Sequence, residues 1–367
     1  MKKYLFSAFF LLSFVFLGLN TTTTSSIAEE CHTTSDGKVI IQNTNGQASV
    51  PADAKPLSID GGTSFTEDGC MVSPLFYRME GYTILLCISD PYISDSTPDL
   101  TVCPATIVSR IDSDPKIIEI PLGEEVDMLD GEELVLPIGV YSHAVFIGSN
   151  HLAVKHNVEF VRDDNGGAFT MDGFNSANGG PEDGVKCWTV KDAATTYNNI
   201  SASSHTNAAG TARDFTAPTP GAEESLGLTC GANIITAAGD TQEYGYQFEI
   251  IDSMGGSGDF VAFDDYAADK YATGTESAFV LLQSSGVKAT TRANAKKIAY
   301  IAHLETPLLI TENTIGFKID ISTNATVSLD VHRSGEDPQT LEAKKMGVDP
   351  FGVRFQTKTR RTRGAWR

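Results

Sequence analysis

Apolar and polar residues alternate along much of the chain, which is the pattern of β-strands with one buried face. In residues 151–160 one side is formed by Leu152, Val154, His156, Val158 and Phe160, and the other by Ala153, Lys155, Asn157 and Glu159. The same two-residue period recurs in residues 244–250, 315–321 and 325–331. Further strands are predicted at 39–42, 82–88, 105–111, 116–120, 133–137, 140–147, 279–282 and 297–304.

Turn and capping residues connect these strands. The Ser-Thr-Asn sequence at 322–324 predicts a hairpin between the strands on either side of it. One helix is predicted at 338–346, with Asp337 as its N-cap and Gly347 just beyond its end. Many short alternating strands with few helices predict an all-β fold, an antiparallel β-sandwich that is either one large unit or two small tandem ones.

Composition divides the chain into segments. The predicted boundaries are a signal peptide at 1–28, a polar leader at 29–75, a first sandwich half at 76–162, a loop-rich insertion at 163–243, a second sandwich half at 244–335, and a short helix with a basic tail at 336–367.

The first 28 residues have the organisation of a secretory signal peptide. Lys2 and Lys3 precede an apolar run at 4–19, and a polar stretch follows that ends in the small residue Ala28. The apolar run is shorter than the roughly 20 residues that span a bilayer, so we prefer cleavage after Ala28 over an uncleaved anchor. The sequence thus predicts a secreted, periplasmic or cell-surface protein without a membrane span after cleavage.

Net charge narrows the choice of partners. Cleavage removes two lysines and no acidic residue, so the formal charge changes from −20 to about −22. Such a charge argues against nucleic acid or an anionic lipid surface as the main partner. Basic residues are concentrated at the C-terminus, at Arg354, Lys358, Arg360, Arg361 and Arg363.

Residues 351–358 alternate like a strand, immediately before most of these basic residues. This strand could add to a sheet edge of a neighbouring copy while the basic side chains meet that copy's acidic surface. The tail could therefore join copies into a homo-oligomer or polymer, although a solvated chain end is the preferred interpretation.

Six cysteines lie beyond the predicted cleavage site, an even number that favours disulfides in an exported protein. Although six cysteines allow 15 connectivities, nearest-neighbour pairing is our working hypothesis: Cys31 with Cys70, Cys87 with Cys103, and Cys187 with Cys230. Closing the short segment between Cys87 and Cys103 would stabilise the fold by about 3 kcal/mol. No Cys-x-x-Cys pair occurs, which excludes the common redox and zinc motifs of that type.

One segment resembles a known family. The run from Leu136 through Pro137 and Gly139 to Tyr141 is similar to a hairpin of transthyretin-like or carboxypeptidase-regulatory-like β-sandwich modules in exported bacterial proteins. The resemblance implies an extracellular adhesive or structural module, and it implies no catalytic residue.

Motifs for catalysis are not recognised, so we expect no enzyme. The sequence around Ser257 lacks the second glycine of a nucleophile elbow, because position 259 is Asp. Four aspartates form a cluster of carboxylates that a glycosidase could use as acid and base: Asp259, Asp264, Asp265 and Asp269. A solvated acidic loop is the preferred interpretation of this cluster.

Metal ligands were considered at two places. His143, His151 and His156 are close in sequence, but strand alternation puts His151 and His156 on opposite faces, which favours hydrogen-bonded core histidines. Oxygen ligands for Ca²⁺ are offered by Asp163, Asp164, Asn165, Asp172 and Asp183. Turn chemistry explains the same residues, and apart from this Ca²⁺ no cofactor is expected.

Two functions follow from these patterns. The preferred one is a non-catalytic structural or adhesive protein, and the alternative is an extracellular protein that binds or hydrolyses glycans. Because the chain has only Trp188 and Trp366, a sugar platform would depend on tyrosines such as Tyr92, Tyr141, Tyr266 and Tyr271.

Overall fold

A computed structural model describes most of the predicted sandwich. The described residues are 31, 33–43, 57–59, 70–109, 115–122, 136–162, 170–171, 185–196, 204–206, 212–214, 227–231, 233–255, 259–268, 275–324, 326–333, 340–348 and 351–359. They form antiparallel sheets with a few parallel pairs, and the predicted all-β sandwich is confirmed.

Strands account for nearly all of the regular structure. They are β1 (Val39–Asn43), β2 (Leu57–Ile59), β3 (Cys70–Val72), β4 (Phe76–Cys87), β5 (Ala105–Ser109), β6 (Lys116–Pro121), β7 (Gly139–Ser149), β8 (His151–Lys155), β9 (Asn157–Arg162), β10 (Thr170–Met171), β11 (Val185–Thr189), β12 (Ala194–Thr196), β13 (Ser204–Thr206), β14 (Ala212–Asp214), β15 (Leu228–Gly231), β16 (Gln247–Ile250), β17 (Phe263–Ala268), β18 (Thr275–Leu282), β19 (Lys297–Ile310), β20 (Thr314–Ser322), β21 (Val327–Arg333), β22 (Thr340–Val348) and β23 (Gly352–Thr359). In the described part of the chain, 3-10 turns lie at Leu100–Val102 and Arg292–Asn294.

The largest sheet has ten strands and is organised around β4. Its main order is β12-β16-β8-β4-β7-β19-β18-β17, and β5 and β6 pair with β4 as well. The first half of β4 lies between β6 and β8, whereas its second half lies between β5 and β7. The sheet therefore divides into two branches, β8-β16-β12 and β7-β19-β18-β17.

Asn150 occupies the point at which the branches divide, between the end of β7 and the start of β8. Its backbone N–H donates to the Lys296 carbonyl on one branch, and its carbonyl accepts from the Ile251 N–H on the other. Its side-chain Nδ2 donates to the carbonyls of Ile251, at 3.0 Å, and Ala295, at 3.2 Å. Asn150 is only 1% exposed, so water could not supply the hydrogen bonds that its amide donates to these two carbonyls. We name this residue the fork.

Smaller sheets cover one face of the large sheet. Their orders are β15-β11-β9-β1-β2, β10-β22-β21-β3 and β20-β23, and β13 and β14 form a separate two-stranded sheet. The first core lies between these layers and is contributed by both sides, including Met79, Ile84, Phe146, Phe160, Leu228, Leu329, Met346 and Val353. Phe351 lies within it, with its ring centroid 5.3 Å from that of Phe146 and 6.1 Å from that of Tyr300.

The opposite face of the β7-β19-β18 branch carries a second core. Val145, Ile147, Val280 and Ile301 are buried there, and residues of the segment 88–103 pack against them. Both faces of the branch are thus covered, one by smaller sheets and the other by a loop.

Side chains of β16 close an interior edge of β22. Gln247 Nε2 donates to the Met346 carbonyl at 2.7 Å, and a Glu249 carboxylate oxygen accepts from the Val348 N–H. On this edge β22 pairs with β10 only at Thr340 and Leu341, so at residues 346–348 the two side chains take the place of a neighbouring strand. Gly227 makes room for Gln247, because it has a φ of +99° and a Cβ there would lie 2.8 Å from the Gln247 side chain.

The three predicted disulfides are confirmed. Cys31 is bonded to Cys70, Cys87 to Cys103, and Cys187 to Cys230, and no cysteine is free. These bonds indicate folding in an oxidising compartment. No helix among the described residues is long and apolar enough to cross a membrane.

Two local predictions are wrong. Residues 340–348 form β22 and not a helix, because pairing with β21 buries Met346 and Val348 in the first core, which outweighs the capping signals around them. The strands β20 and β21 do not form a hairpin across 322–324. They pair instead with the later strands β23 and β22, respectively.

The run 151–160, predicted as one strand, is two. It changes sheets at His156, with β8 in the ten-stranded sheet and β9 in the five-stranded one. The segment 163–243, interpreted as an insertion, contributes β11 and β15 to the first core, and Trp188 in β11 is 1% exposed. Its composition is loop-like, but Cys187, Leu228 and Cys230 of this segment are buried in the first core.

The predicted C-terminal strand is confirmed as β23, but it pairs with β20 of the same chain. In this register Arg354 lies opposite Asp320, and Lys358 lies opposite Gly316. Arg360, Arg361 and Arg363 lie outside the described residues. Assembly through the tail therefore stays a prediction, and strand addition by residues 351–358 to a neighbour is replaced by pairing within the chain.

We expect Asn150→Ala to lower the free energy of unfolding by about 2–4 kcal/mol, because two buried carbonyls lose their donor and each costs roughly 1–3 kcal/mol. Urea denaturation followed by fluorescence of the buried Trp188 would measure this. Asn233→Ala, at an exposed position, is the matched control and should change stability by less than about 0.5 kcal/mol. Equal stability of the two variants would contradict a structural role for the fork.

Candidate functional site

One row of residues crosses four adjacent strands at the end of the second core. Cys87 of β4 lies opposite His143 of β7, His143 lies opposite His303 of β19, and His303 lies opposite Glu276 of β18. Directly opposed residues in antiparallel strands point to the same face of the sheet. The fold therefore gathers a disulfide, two imidazoles and a carboxylate in one line.

The two histidines are stacked, and each has its own carboxylate neighbour. Their ring centroids are 4.8 Å apart, and the planes differ by 22°. His143 Nε2 lies 3.8 Å from an oxygen of Asp90, and His303 Nδ1 lies 3.4 Å from an oxygen of Glu276. Ser142 adds a hydroxyl 2.9 Å from His143 Nδ1.

Two tyrosines lie beside the histidines. The rings of Tyr92 and Tyr266 are 5.3 Å apart in an edge-to-face arrangement. The Tyr266 hydroxyl donates to Asp90 at 2.8 Å, and the Tyr92 hydroxyl donates to Asp265 at 2.5 Å. Burial, together with these carboxylates, raises the pKa of both phenols well above the usual range. Both phenols thus stay protonated and remain hydrogen-bond donors at neutral pH.

We call this group the His–Tyr cluster. Its members are His143, His303, Tyr92, Tyr266, Asp90, Asp265 and Glu276. Several of its polar groups face solvent: the side chains of Asp90, His303 and Glu276 are 47%, 45% and 61% exposed. The cluster therefore presents carboxylate oxygens, imidazole nitrogens and aromatic surface to anything that approaches.

The loop at 88–102 contributes part of the cluster. The disulfide between Cys87 and Cys103 closes this loop at its base. Lys288 Nζ donates to the Asp95 carbonyl at 2.9 Å, and the Lys288 N–H donates to Thr97 Oγ1 at 2.9 Å. These bonds, with those of Tyr92 and Tyr266, hold the loop against the sheet.

Electrostatics keep the imidazole of His143 neutral at pH 7. Burial lowers its pKa, Asp90 opposes that shift, and His303 adds to it through like-charge repulsion. The cluster is therefore rich in acceptors and aromatic faces, and the buried His143 adds no positive charge to it at neutral pH. Such chemistry suits recognition of a cation or of a hydroxyl-rich ligand.

Some predicted residues are members of the cluster. Tyr92, Tyr266 and Asp265 come together as parts of one surface. Tyr141 does not, because it is buried with its hydroxyl on the Pro137 carbonyl, an interaction inside the segment 136–141. Asp264 lies on β17 near Asp265, whereas Asp269 and Tyr271 lie outside the described residues.

The predicted Ca²⁺ ligands cannot be placed. Asp163, Asp164, Asn165, Asp172 and Asp183 all lie outside the described residues. Within the part of the chain that is described, no group of three or more metal-ligating side chains is arranged to hold an ion.

His156 is the hydrogen-bonded core histidine that the strand pattern predicts. It is buried at the change from β8 to β9, and its Nδ1 accepts from the Leu75 N–H at 3.2 Å. Burial lowers its pKa to about 4. A proton on Nδ1 would both break this bond and introduce a buried charge.

Sequence reasoning missed Asp90, Glu276 and His303. His143 and His303 both occur in predicted strands, as polar residues in otherwise apolar runs. This pattern is the sequence signal that could have identified them as site residues. What brings them together is the register of β7 against β19, which alternation within one strand does not specify.

Comparison with known proteins found no match to a protein-family model, to a curated protein or to a solved structure. The resemblance to transthyretin-like modules therefore stays a prediction.

His156 should make the protein less stable in mild acid. Its pKa is lower in the folded chain than the ordinary 6.5, so the unfolded chain binds more protons, and stability falls as the pH decreases from about 6.5 towards about 4. The contribution lost is about 3 kcal/mol. Urea denaturation at pH 7.0 and pH 4.5 measures it, and His156→Gln should reduce the difference between the two pH values.

Other groups also titrate in this interval, so the comparison between variants decides the assignment. Asn233→Ala, at an exposed position and without a titratable group, is the control and should keep the pH dependence of the native protein. An identical pH dependence of the native protein and His156→Gln would show that His156 is not responsible.

Proposed function

We propose that this protein is exported and acts without catalysis as a structural or adhesive β-sandwich protein, secreted or on the cell surface. The signal-like residues 1–28 support export, and the three disulfides support an oxidising destination. An all-β fold with covered faces supports a durable extracellular module.

The observation that carries the proposal is the internal organisation of the His–Tyr cluster. Each tyrosine hydroxyl is already held by a carboxylate, and the loop that carries Tyr92 and Asp90 is closed by a disulfide. These groups are fixed in place before any ligand arrives, which favours affinity because little ordering is required on binding. Because the pKa of both phenols is raised, their hydroxyls stay protonated and act as donors. Because the pKa of His143 is lowered, its imidazole stays neutral and can accept a hydrogen bond.

Export is tested in the producing cell. We expect an antiserum to label intact cells or to detect the protein in the medium, and alkylation before reduction should modify none of the six cysteines. A matched variant with Leu11→Arg and Leu12→Arg in the apolar run should remain inside, because charge in this region blocks a signal peptide. Native protein retained in the cytosol with free thiols would refute the proposal.

A second candidate is an extracellular carbohydrate-binding protein. The specific observation in its favour is the pair of Tyr92 and Tyr266 with Asp90 and Asp265, since sugar sites combine aromatic faces with a few fixed polar groups. The solvent-exposed Asp264 and Asp265 of β17 lie at the same place.

A glycan array at low salt tests this candidate. We expect binding to one class of glycans that falls at least tenfold in Tyr92→Ala and Tyr266→Ala, because each loses an aromatic face. Tyr244→Phe, a change on the other branch of the sheet, is the control and should bind normally. An array without signal, or equal binding by all variants, would exclude the cluster as a sugar site.

A further inference from the structure

We propose that the His–Tyr cluster of one copy is the docking site for the basic C-terminal segment 360–367 of a second copy, so that copies join head to tail. The inference rests on the proposed function, because it names the partner of a structural protein. It also assigns the cluster a ligand chemistry, the guanidinium group of arginine.

The cluster offers what a guanidinium recognises. Asp90 and Glu276 are exposed carboxylates on either side of the stacked histidines, and Asp265 lies beside Tyr92. The planar guanidinium donates to carboxylates through a fork of N–H groups, and it stacks on aromatic faces. Carboxylates beside aromatic rings therefore favour arginine over a neutral ligand.

The chain carries a segment of this chemistry. Residues 360–367 contain Arg360, Arg361, Arg363 and Arg367 together with Trp366, and they contain no acidic residue. The whole chain has 47 acidic and 27 basic side chains, so this concentration of arginine is opposite in sign to the rest of the protein. Attraction between such regions of separate copies is strongest at low salt.

The fold favours a second copy over docking within one chain. Strand β23 ends at Thr359, and it follows Phe351, which packs on the first core. The His–Tyr cluster lies on the opposite face of the same sheet, at the end of the second core. A segment of eight residues spans at most about 27 Å, whereas the segment of a second copy can approach the cluster from any direction.

Contacts of this kind form an open row of copies unless the rotation between neighbours closes a ring. The two surfaces differ, so each copy keeps a free cluster at one side and a free segment at the other. Copies would add in a row, which is the organisation of a fibre or a surface layer.

The test uses the full chain, produced with its own leader and purified from the oxidising compartment. Sedimentation velocity over a range of concentrations should show mass increasing with concentration at low salt and falling towards the monomer at high salt. A chain ending at Thr359 keeps β23 but lacks the segment, and it should remain monomeric. Asp265→Asn with Glu276→Gln removes two charges from the cluster and should weaken assembly at least tenfold.

Two controls separate this effect from a loss of folding or of charge in general. Asp192→Asn with Glu312→Gln removes the same two charges at exposed positions elsewhere, and it should assemble like the native chain. Circular dichroism and thermal unfolding should be unchanged in both double variants.

Mixing the two defective proteins gives the decisive result. The truncated chain has an intact cluster, and the cluster variant has an intact segment, so together they should form a one-to-one dimer and nothing larger. The inference is overturned if the native chain is monomeric at all concentrations, if truncation leaves assembly unchanged, or if the mixture stays monomeric. A protein found at the cell surface as a monomer would overturn this inference and leave the proposed function standing.

Discussion

The fork at Asn150 is the constraint on which the arrangement of the large sheet depends. The strands β7 and β8 form a nearly continuous run that pairs with β4 along its whole length. The other edge of this run pairs with two different strands, β19 and β16. The amide of Asn150 makes this change of partner feasible by donating to one carbonyl on each branch. Without those two donors, the division of the sheet would bury unsatisfied backbone groups.

The position of the His–Tyr cluster follows from the fork. Lys297 of β19 lies opposite Ser149, directly beside Asn150, and this register continues for six residues until His303 lies opposite His143. A shift of one residue would exchange the two faces of the strand, and the histidines would no longer share a row. A buried amide therefore lies at one end of the register that brings the two histidines together at the surface.

Alternation in the sequence predicted most strands and the fold class because it is a local consequence of having one buried face. The disulfides could also be predicted, since each joins cysteines that are neighbours in the sequence. The partners of the strands could not be predicted, because pairing depends on distant segments of the chain. The missed pairing of β20 with β23 is an example. The incorrect helix at 338–346 has the same origin: local caps suggested a helix, and long-range burial of Met346 and Val348 decided for a strand.

The cluster was predictable in its chemistry but not in its membership. Tyr92 and Tyr266 could be selected as candidate aromatic residues, because few other aromatic platforms were available. Their carboxylate partners come from a loop and a strand separated by more than 170 residues in the sequence, as the bond between Tyr266 and Asp90 illustrates. Only the closed loop and the register of four strands bring these groups to one place.

The edges of the C-terminal strands determine how this part of the chain can contact another molecule. The interior edge of β22 is closed by Gln247 and Glu249, whose side chains satisfy the Met346 carbonyl and the Val348 N–H. Strand β23 is already paired along its length with β20. Addition of a foreign strand at β22 would have to displace buried side chains that are already hydrogen-bonded, at a cost of roughly 1–3 kcal/mol for each group left unpaired. Recognition between charged side chains displaces no strand, which is why the proposed assembly uses the basic residues beyond Thr359 and not strand exchange.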